Sequence, residues 1–151
     1  MVGVNFKNCV ARVGKSSLTI KYCRGEFSEK QESTVDATFN QKAVEIDAKT
    51  KVQLTIWDTA GQERYHALNR NYYKNSQGAI IVYDVTDPGS FEKVKKWRDE
   101  LRKYLEDAPV VIAGNKCDMA NKVGEAEAQQ YAKSENAEHI LTSAKSGQNV
   151  T

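Results

Sequence analysis

Cysteine is scarce. Cys9, Cys23 and Cys117 form no close metal-type pair, and an odd, scattered count of three builds no disulfide framework, so the chain reads as one suited to a reducing compartment. Long apolar runs are missing too: the longest, Gly78 to Tyr83, is far too short to span a bilayer. The N-terminus shows no signal-peptide apolar core, and no cysteine near the C-terminus could take a prenyl group. The expectation is a cytoplasmic chain with no membrane anchor of its own. Neither sign of charge dominates. With 22 basic and 20 acidic residues the formal net charge is +2, which gives no electrostatic case for nucleic acid. Lysine pairs such as Lys95-Lys96 read as a solvated helix face.

What is present is an alternation of strand and helix patterns over 151 residues, enough for one domain with a sizeable core. The expectation is a single domain over residues 1–151. Gln41 to Ile46 and Val52 to Trp57 alternate polar with apolar residues, and Asp47-Ala48-Lys49-Thr50 between them predicts a hairpin turn. Ala79 to Tyr83 and Val110 to Ala113 are apolar and β-branched, as buried strands of a parallel sheet are. Asp87-Pro88 offers a cap and a first-turn proline. After it, Phe91, Val94, Trp97, Leu101 and Leu105 recur at helical spacing. Glu125 to Ser134 and Lys15 to Cys23 are the other predicted helices, and Phe27 to Val35 reads as loop.

Four short stretches carry the chemistry. Gly14-Lys15-Ser16 precedes a predicted helix, where backbone N–H groups bind phosphate, a lysine neutralises it and a serine hydroxyl ligates Mg²⁺. Asp58-Thr59-Ala60-Gly61-Gln62 follows a strand: Asp58 can hold Mg²⁺, Gly61 frees an N–H for a γ-phosphate, and Gln62 can orient an attacking water. Asn115-Lys116-Cys117-Asp118 also follows a strand. Its aspartate can accept both N1–H and N2–H of guanine, a match that adenine does not offer, and the lysine stem can lie over the base. Ser143-Ala144-Lys145 places a backbone N–H for the guanine O6. Each tripeptide alone is weak; their order along one chain is the signal.

Together these residues resemble the Rab branch of the Ras-like small GTPases, over nearly the whole chain from about Phe6 to Val150. Trp57 to Tyr65, continued by Leu68 and Tyr72-Tyr73, looks like the Rab second switch. Gln31-Glu32-Ser33-Thr34 with Phe39 looks like the first switch of the endosomal group, and Tyr83-Asp84-Val85-Thr86 is family-like as well. The resemblance implies an α/β P-loop G domain: a six-stranded, mostly parallel sheet with one antiparallel strand and helices on both faces. It implies GTP and GDP as ligands and Mg²⁺ as cofactor. Ala11, Arg12, Val13, Gly14, Lys15, Ser16 and Ser17 would form the phosphate cradle, and Phe27 would pack on the base. Thr34 and Gly61 would sense the γ-phosphate, and Ser16, Thr34 and Asp58 would serve the metal. Asn115, Lys116, Asp118, Ser143, Ala144 and Lys145 would hold guanine, and Gln62 would be catalytic. Trp57, Phe39 and Tyr72 would form the patch read by effectors. Exchange factors and GTPase-activating proteins would act at the switches, on the cytosolic face of endosomal membranes if a lipidated tail exists in the full protein.

The sequence departs from the pattern in three places. Cys9 stands where the phosphate loop opens on glycine, after a first strand that reads as short and polar. Asp36 stands in the first switch where many endosomal relatives carry glycine. The chain ends at Thr151, where the last helix of the fold should begin, so one sheet face is expected to show apolar surface. These departures sustain an alternative reading, a pseudo-GTPase or incomplete gene product. A P-loop kinase would fit the fold but leaves Asn115 to Asp118 unexplained.

Overall fold

The computed structural model describes residues 2–7 by their backbone, and residues 13–30, 38–58, 76–105 and 107–150 with their side chains. Polar–apolar alternation produces an antiparallel pair, β2 (Thr38–Glu45) and β3 (Lys51–Asp58), with β2 at one sheet edge. Their turn is fastened by Asp47, whose Oδ1 accepts the amides of Lys49 and Thr50 at 2.8 and 2.9 Å. The other four strands are β1 (Val2–Lys7), β4 (Gly78–Asp84), β5 (Val110–Asn115) and β6 (Glu138–Leu141). The sheet order is β2-β3-β1-β4-β5-β6, and every pair except β2–β3 is parallel. This is the expected fold.

The first strand is a correction. It spans six residues, an ordinary length, and pairs with β3 on one side and β4 on the other. It lies upstream of much of the half-polar stretch that made it read as short. Pairing on both edges supplies a strand with partners that local composition does not advertise.

Three helices appear among the described residues: α1 (Lys15–Arg24), α2 (Pro88–Arg102) and α3 (Glu125–Ser134). The sheet's period of two sends successive side chains to opposite faces. From β4 and β5, Ala79, Ile81, Tyr83, Val110 and Ile112 pack with Phe91, Val94 and Leu101 of α2 and with Ala128 and Ala132 of α3. Val82 and Ala113 face the other way, onto Leu18 of α1 and Ile56 of β3. Phe91, Val94 and Leu101 are at most 2% exposed, and each such side chain contributes about 1.5–3 kcal/mol of burial. Asp87 caps α2 as expected, its Oδ1 accepting the amide of Gly89 at 3.0 Å, with Pro88 next. Leu105 is buried but lies beyond the end of α2, in a turn closed by its amide on the Leu101 carbonyl at 2.8 Å. Arg98 of α2 donates to the Glu135 carbonyl at 3.0 Å, which ties α2 to the end of α3.

The α1 face of the sheet carries an apolar cavity of about 370 Å³, lined by Leu18, Ile56, Ile80, Val111, Ile140 and Val150 among others.

Candidate functional site

Parallel strands bring their carboxyl ends to one edge of the sheet, and in open α/β sheets ligands bind there, where the strand order reverses. The register places Phe6 beside Asp58, Asp84 beside Asn115, and Gly114 beside Leu141. The segments after β1, β3, β4, β5 and β6 therefore start from a common edge. That is why motifs spread over more than half the chain can serve one site.

Gly14 precedes α1 with φ +90, a left-handed conformation that side chains resist. A Cβ there would also collide with Nδ2 of Asn115. The N-terminus of α1 has no side-chain cap and no acidic residue in its first turn. Its backbone donors thus face no competing anion of the helix itself, which suits a phosphate. Lys15 is buried to 6% exposure, and Ser16 and Ser17 are half-buried. Val13 is buried in the core on the α1 face. Asp58, at the end of β3, is 3% exposed. A serine hydroxyl and a carboxylate are hard oxygen donors of the kind Mg²⁺ takes, with phosphate and water completing its shell. Among the described residues no cluster of three or more His, Cys, Asp or Glu forms a protein-only metal cage.

Asn115, 1% exposed, joins two loops. Its Nδ2 donates to the Val13 carbonyl at 2.9 Å, and its Oδ1 accepts the Ala144 amide at 3.2 Å. Asp118 is held by the Ser143 hydroxyl, which donates to Oδ1 at 2.5 Å, while Ser143 Oγ accepts the Ser146 amide at 3.0 Å. The Cys117 amide donates to the Thr142 carbonyl at 3.0 Å, stitching the loops after β5 and β6 together. Burial, then the Asp118 charge, pushes the Cys117 thiol up and keeps it protonated. Lys116 has φ +66, unusual for a side chain, and its ammonium pairs with Asp84. Lys145 pairs with Glu29 at 2.8 Å, both exposed. Phe27, on the same 25–30 segment as Glu29, is 37% exposed.

Val13, Gly14, Asn115, Ser143 and Ala144 are thus brought into contact, with Asp118 and Lys116 beside them. Phe39 of β2 and Trp57 of β3 stand together, with ring centroids 5.4 Å apart and Phe39 58% exposed. Ala11, Arg12, Thr34, Gly61, Gln62, Cys9, Asp36 and Tyr72 lie outside the described residues, as does most of the second switch pattern. Two partners escaped motif reading. Asp84 ends a strand just as Asp58 and Asn115 do, and that shared position was the available signal. Glu29 had no local signal at all.

The profile of the Ras family matches residues 10–151. The chain belongs to the Ras family. Within it the likeness is to Rab proteins. Rab-21 of Geodia cydonium is 49% identical over 141 residues, covering 91% of this chain and 61% of that protein. Rab-5A of Dictyostelium discoideum is 48% identical over 143 residues, covering 93% of this chain and 71% of that protein. The GTP-binding protein ypt5 of Schizosaccharomyces pombe is 44% identical over 142 residues, covering 91% and 67%. This Ras-family chain spans less than two thirds of the length of its Rab-21 relatives. By sequence it falls in the Rab branch of that family. No helix among its described residues is long and apolar enough to cross a membrane.

Proposed function

We propose that the chain is a GTP-binding and GTP-hydrolysing switch of Rab type, acting in endosomal membrane traffic. The observation that carries the reading is the Asn115 junction. One buried side chain ties the end of the phosphate loop to the loop that presents the Ala144 amide, beside an aspartate already oriented by Ser143. A purine entering there meets an Asp118 carboxylate for N1–H and N2–H, and its O6 would share the Ala144 amide with Asn115 Oδ1. Adenine lacks that donor pair, so the site selects guanine.

In this reading the α1 N-terminus and Lys15 hold the phosphates, and Phe27 and the Lys116 stem flank the base. Ser16, Asp58 and Thr34 would hold Mg²⁺, which would supply charge neutralisation for the phosphates. Thr34 and Gly61 sense the γ-phosphate, which orders both switches until hydrolysis releases them. Gln62 orients the water. The exposed Phe39–Trp57 pair lies on β2 and β3 and supports effector reading at that surface. Rab-21 and Rab-5A among the relatives support a role in traffic, with effectors, exchange factors and activating proteins as partners. The pseudo-GTPase alternative draws no support from the relatives or from the Asn115 junction.

Single-turnover hydrolysis of bound GTP tests the proposal. Slow conversion to GDP is expected in the parent, and Gln62→Leu should retain GTP without converting it. Equal hydrolysis by parent and variant contradicts the role of Gln62.

A further inference from the structure

Asp84 has no part in the nucleotide chemistry described so far, yet it is a buried carboxylate with both oxygens engaged. Its side chain is 9% exposed. Oδ1 accepts the Thr86 amide at 2.9 Å and the Thr86 hydroxyl at 2.7 Å, and Oδ2 pairs with the Lys116 ammonium. The backbone around it is fixed as well: the Asp84 amide donates to Ser90 Oγ at 2.9 Å and the Asp87 amide donates to the Asp84 carbonyl at 3.0 Å. Burial works to raise the Asp84 carboxyl, and the hydrogen bonds from Lys116 and Thr86 outweigh it and hold it below the usual carboxylate range. The group is therefore a fixed anion at neutral pH.

Lys116 is the less constrained partner. Its residue sits in the left-handed region, and its side chain is 34% exposed. A lysine stem free at its end samples many rotamers, and a ligand that needs it in one of them must order it on binding. With the ammonium anchored on Asp84, the stem has a defined course from the end of β5 to the end of β4.

We propose that Asp84 is a positioning residue for the base pocket: fixed by Thr86, it anchors the Lys116 ammonium so that the lysine stem stands as a preformed wall for the purine. This rests on the guanine-nucleotide reading given above. The competing role is local. Asp84 could serve only the turn from Asp84 to Asp87, in which case Lys116 would be incidental.

The test is the release rate of a fluorescent GDP analogue from the Mg²⁺-loaded protein, in four forms: parent, Asp84→Asn, Lys116→Met and the double variant. Lys116→Met keeps an apolar stem and removes the ammonium. Each single change should speed release by about tenfold, the scale of a lost charge-assisted hydrogen bond. The double variant should release within about twofold of Lys116→Met, since residues acting through one contact are not additive. Release from Asp84→Asn at the parent rate overturns the proposal. So does an equal acceleration by Asp84→Asn in both backgrounds, which is the signature of a turn-only role. If Asp84→Asn does not fold, Lys116→Met carries the expectation alone, and release at the parent rate overturns it. A parent that retains no GDP analogue with Mg²⁺ overturns the guanine-nucleotide reading itself, an outcome distinct from a variant that fails in a binding parent.

Discussion

Asn115 and Val13 are 102 residues apart, and the Asn115 side-chain amide donates to the Val13 carbonyl at 2.9 Å with no solvent at the bond. The contact makes the end of the phosphate loop and the loop after β5 one unit. Asn115→Ala removes two buried hydrogen bonds and leaves the Val13 carbonyl and Ala144 amide without partners. Each orphaned group costs about 1–3 kcal/mol. The expected loss of stability is a few kcal/mol, measured as a lower urea midpoint, with weaker GDP binding. Gly14→Ala should damage the same junction, because its Cβ meets Asn115 Nδ2 and its φ is +90.

Asp118 should decide the base. Asp118→Asn replaces two acceptors by one acceptor and one donor, which complements the N1–H and 2-oxo group of xanthine rather than the N1–H and 2-amino group of guanine. The expected outcome is a loss of GDP affinity and a gain of XDP affinity in competition binding. Wild-type preference retained by the variant would count against Asp118.

The Glu29–Lys145 pair should make nucleotide release depend on salt and pH. Lys145 lowers the Glu29 carboxyl, and Glu29 raises the Lys145 ammonium. The Glu29 contribution is present above its ordinary pKa of 4.5 and is lost as pH falls through its lowered value. That of Lys145 is present below its ordinary 10.5 and is lost as pH rises through its raised value. Both groups are exposed, so salt near 1 M, where the screening length falls to about 3 Å, should weaken the pair. GDP release should accelerate with salt by a few-fold in the parent and less in Glu29→Gln.

His139 should tie stability to mild acid. Its Nε2 lies 2.9 Å from the hydroxyl of Tyr83, which is fully buried. Burial lowers the His139 pKa, so the folded chain favours neutral imidazole. Below the unfolded value of about 6.5 the unfolded chain binds the extra proton first, and stability falls until pH reaches the lowered folded value. Urea midpoints should therefore drop as pH falls below about 6.5. His139→Gln, which keeps a polar partner for the Tyr83 hydroxyl and cannot titrate, should flatten that part of the profile.

Much of this fold was legible because its signals are local. Phe91, Val94, Trp97 and Leu101 repeat at helical spacing, and the Glu125–Ser134 helix falls where the pattern put it. Asp58 and Asn115 are both the last residues of strands, as the motif logic required. β1 was harder to read because its status comes from its neighbours β3 and β4 rather than from its own residues. Leu105 kept the helical spacing yet lies past the helix end, because a turn can bury a side chain as well as a helix can. The Lys116–Asp84 and Lys145–Glu29 pairs join residues far apart in sequence, and no periodicity or spacing announces an ion pair made only by folding.

The most direct measurement is equilibrium titration of the purified chain with a fluorescent GDP analogue and Mg²⁺, in competition with GDP, ADP and EDTA. Micromolar or tighter binding is expected, displaced by GDP but not by ADP, and lost when EDTA removes the metal. Absence of saturable binding, or displacement by ADP as readily as by GDP, would contradict it.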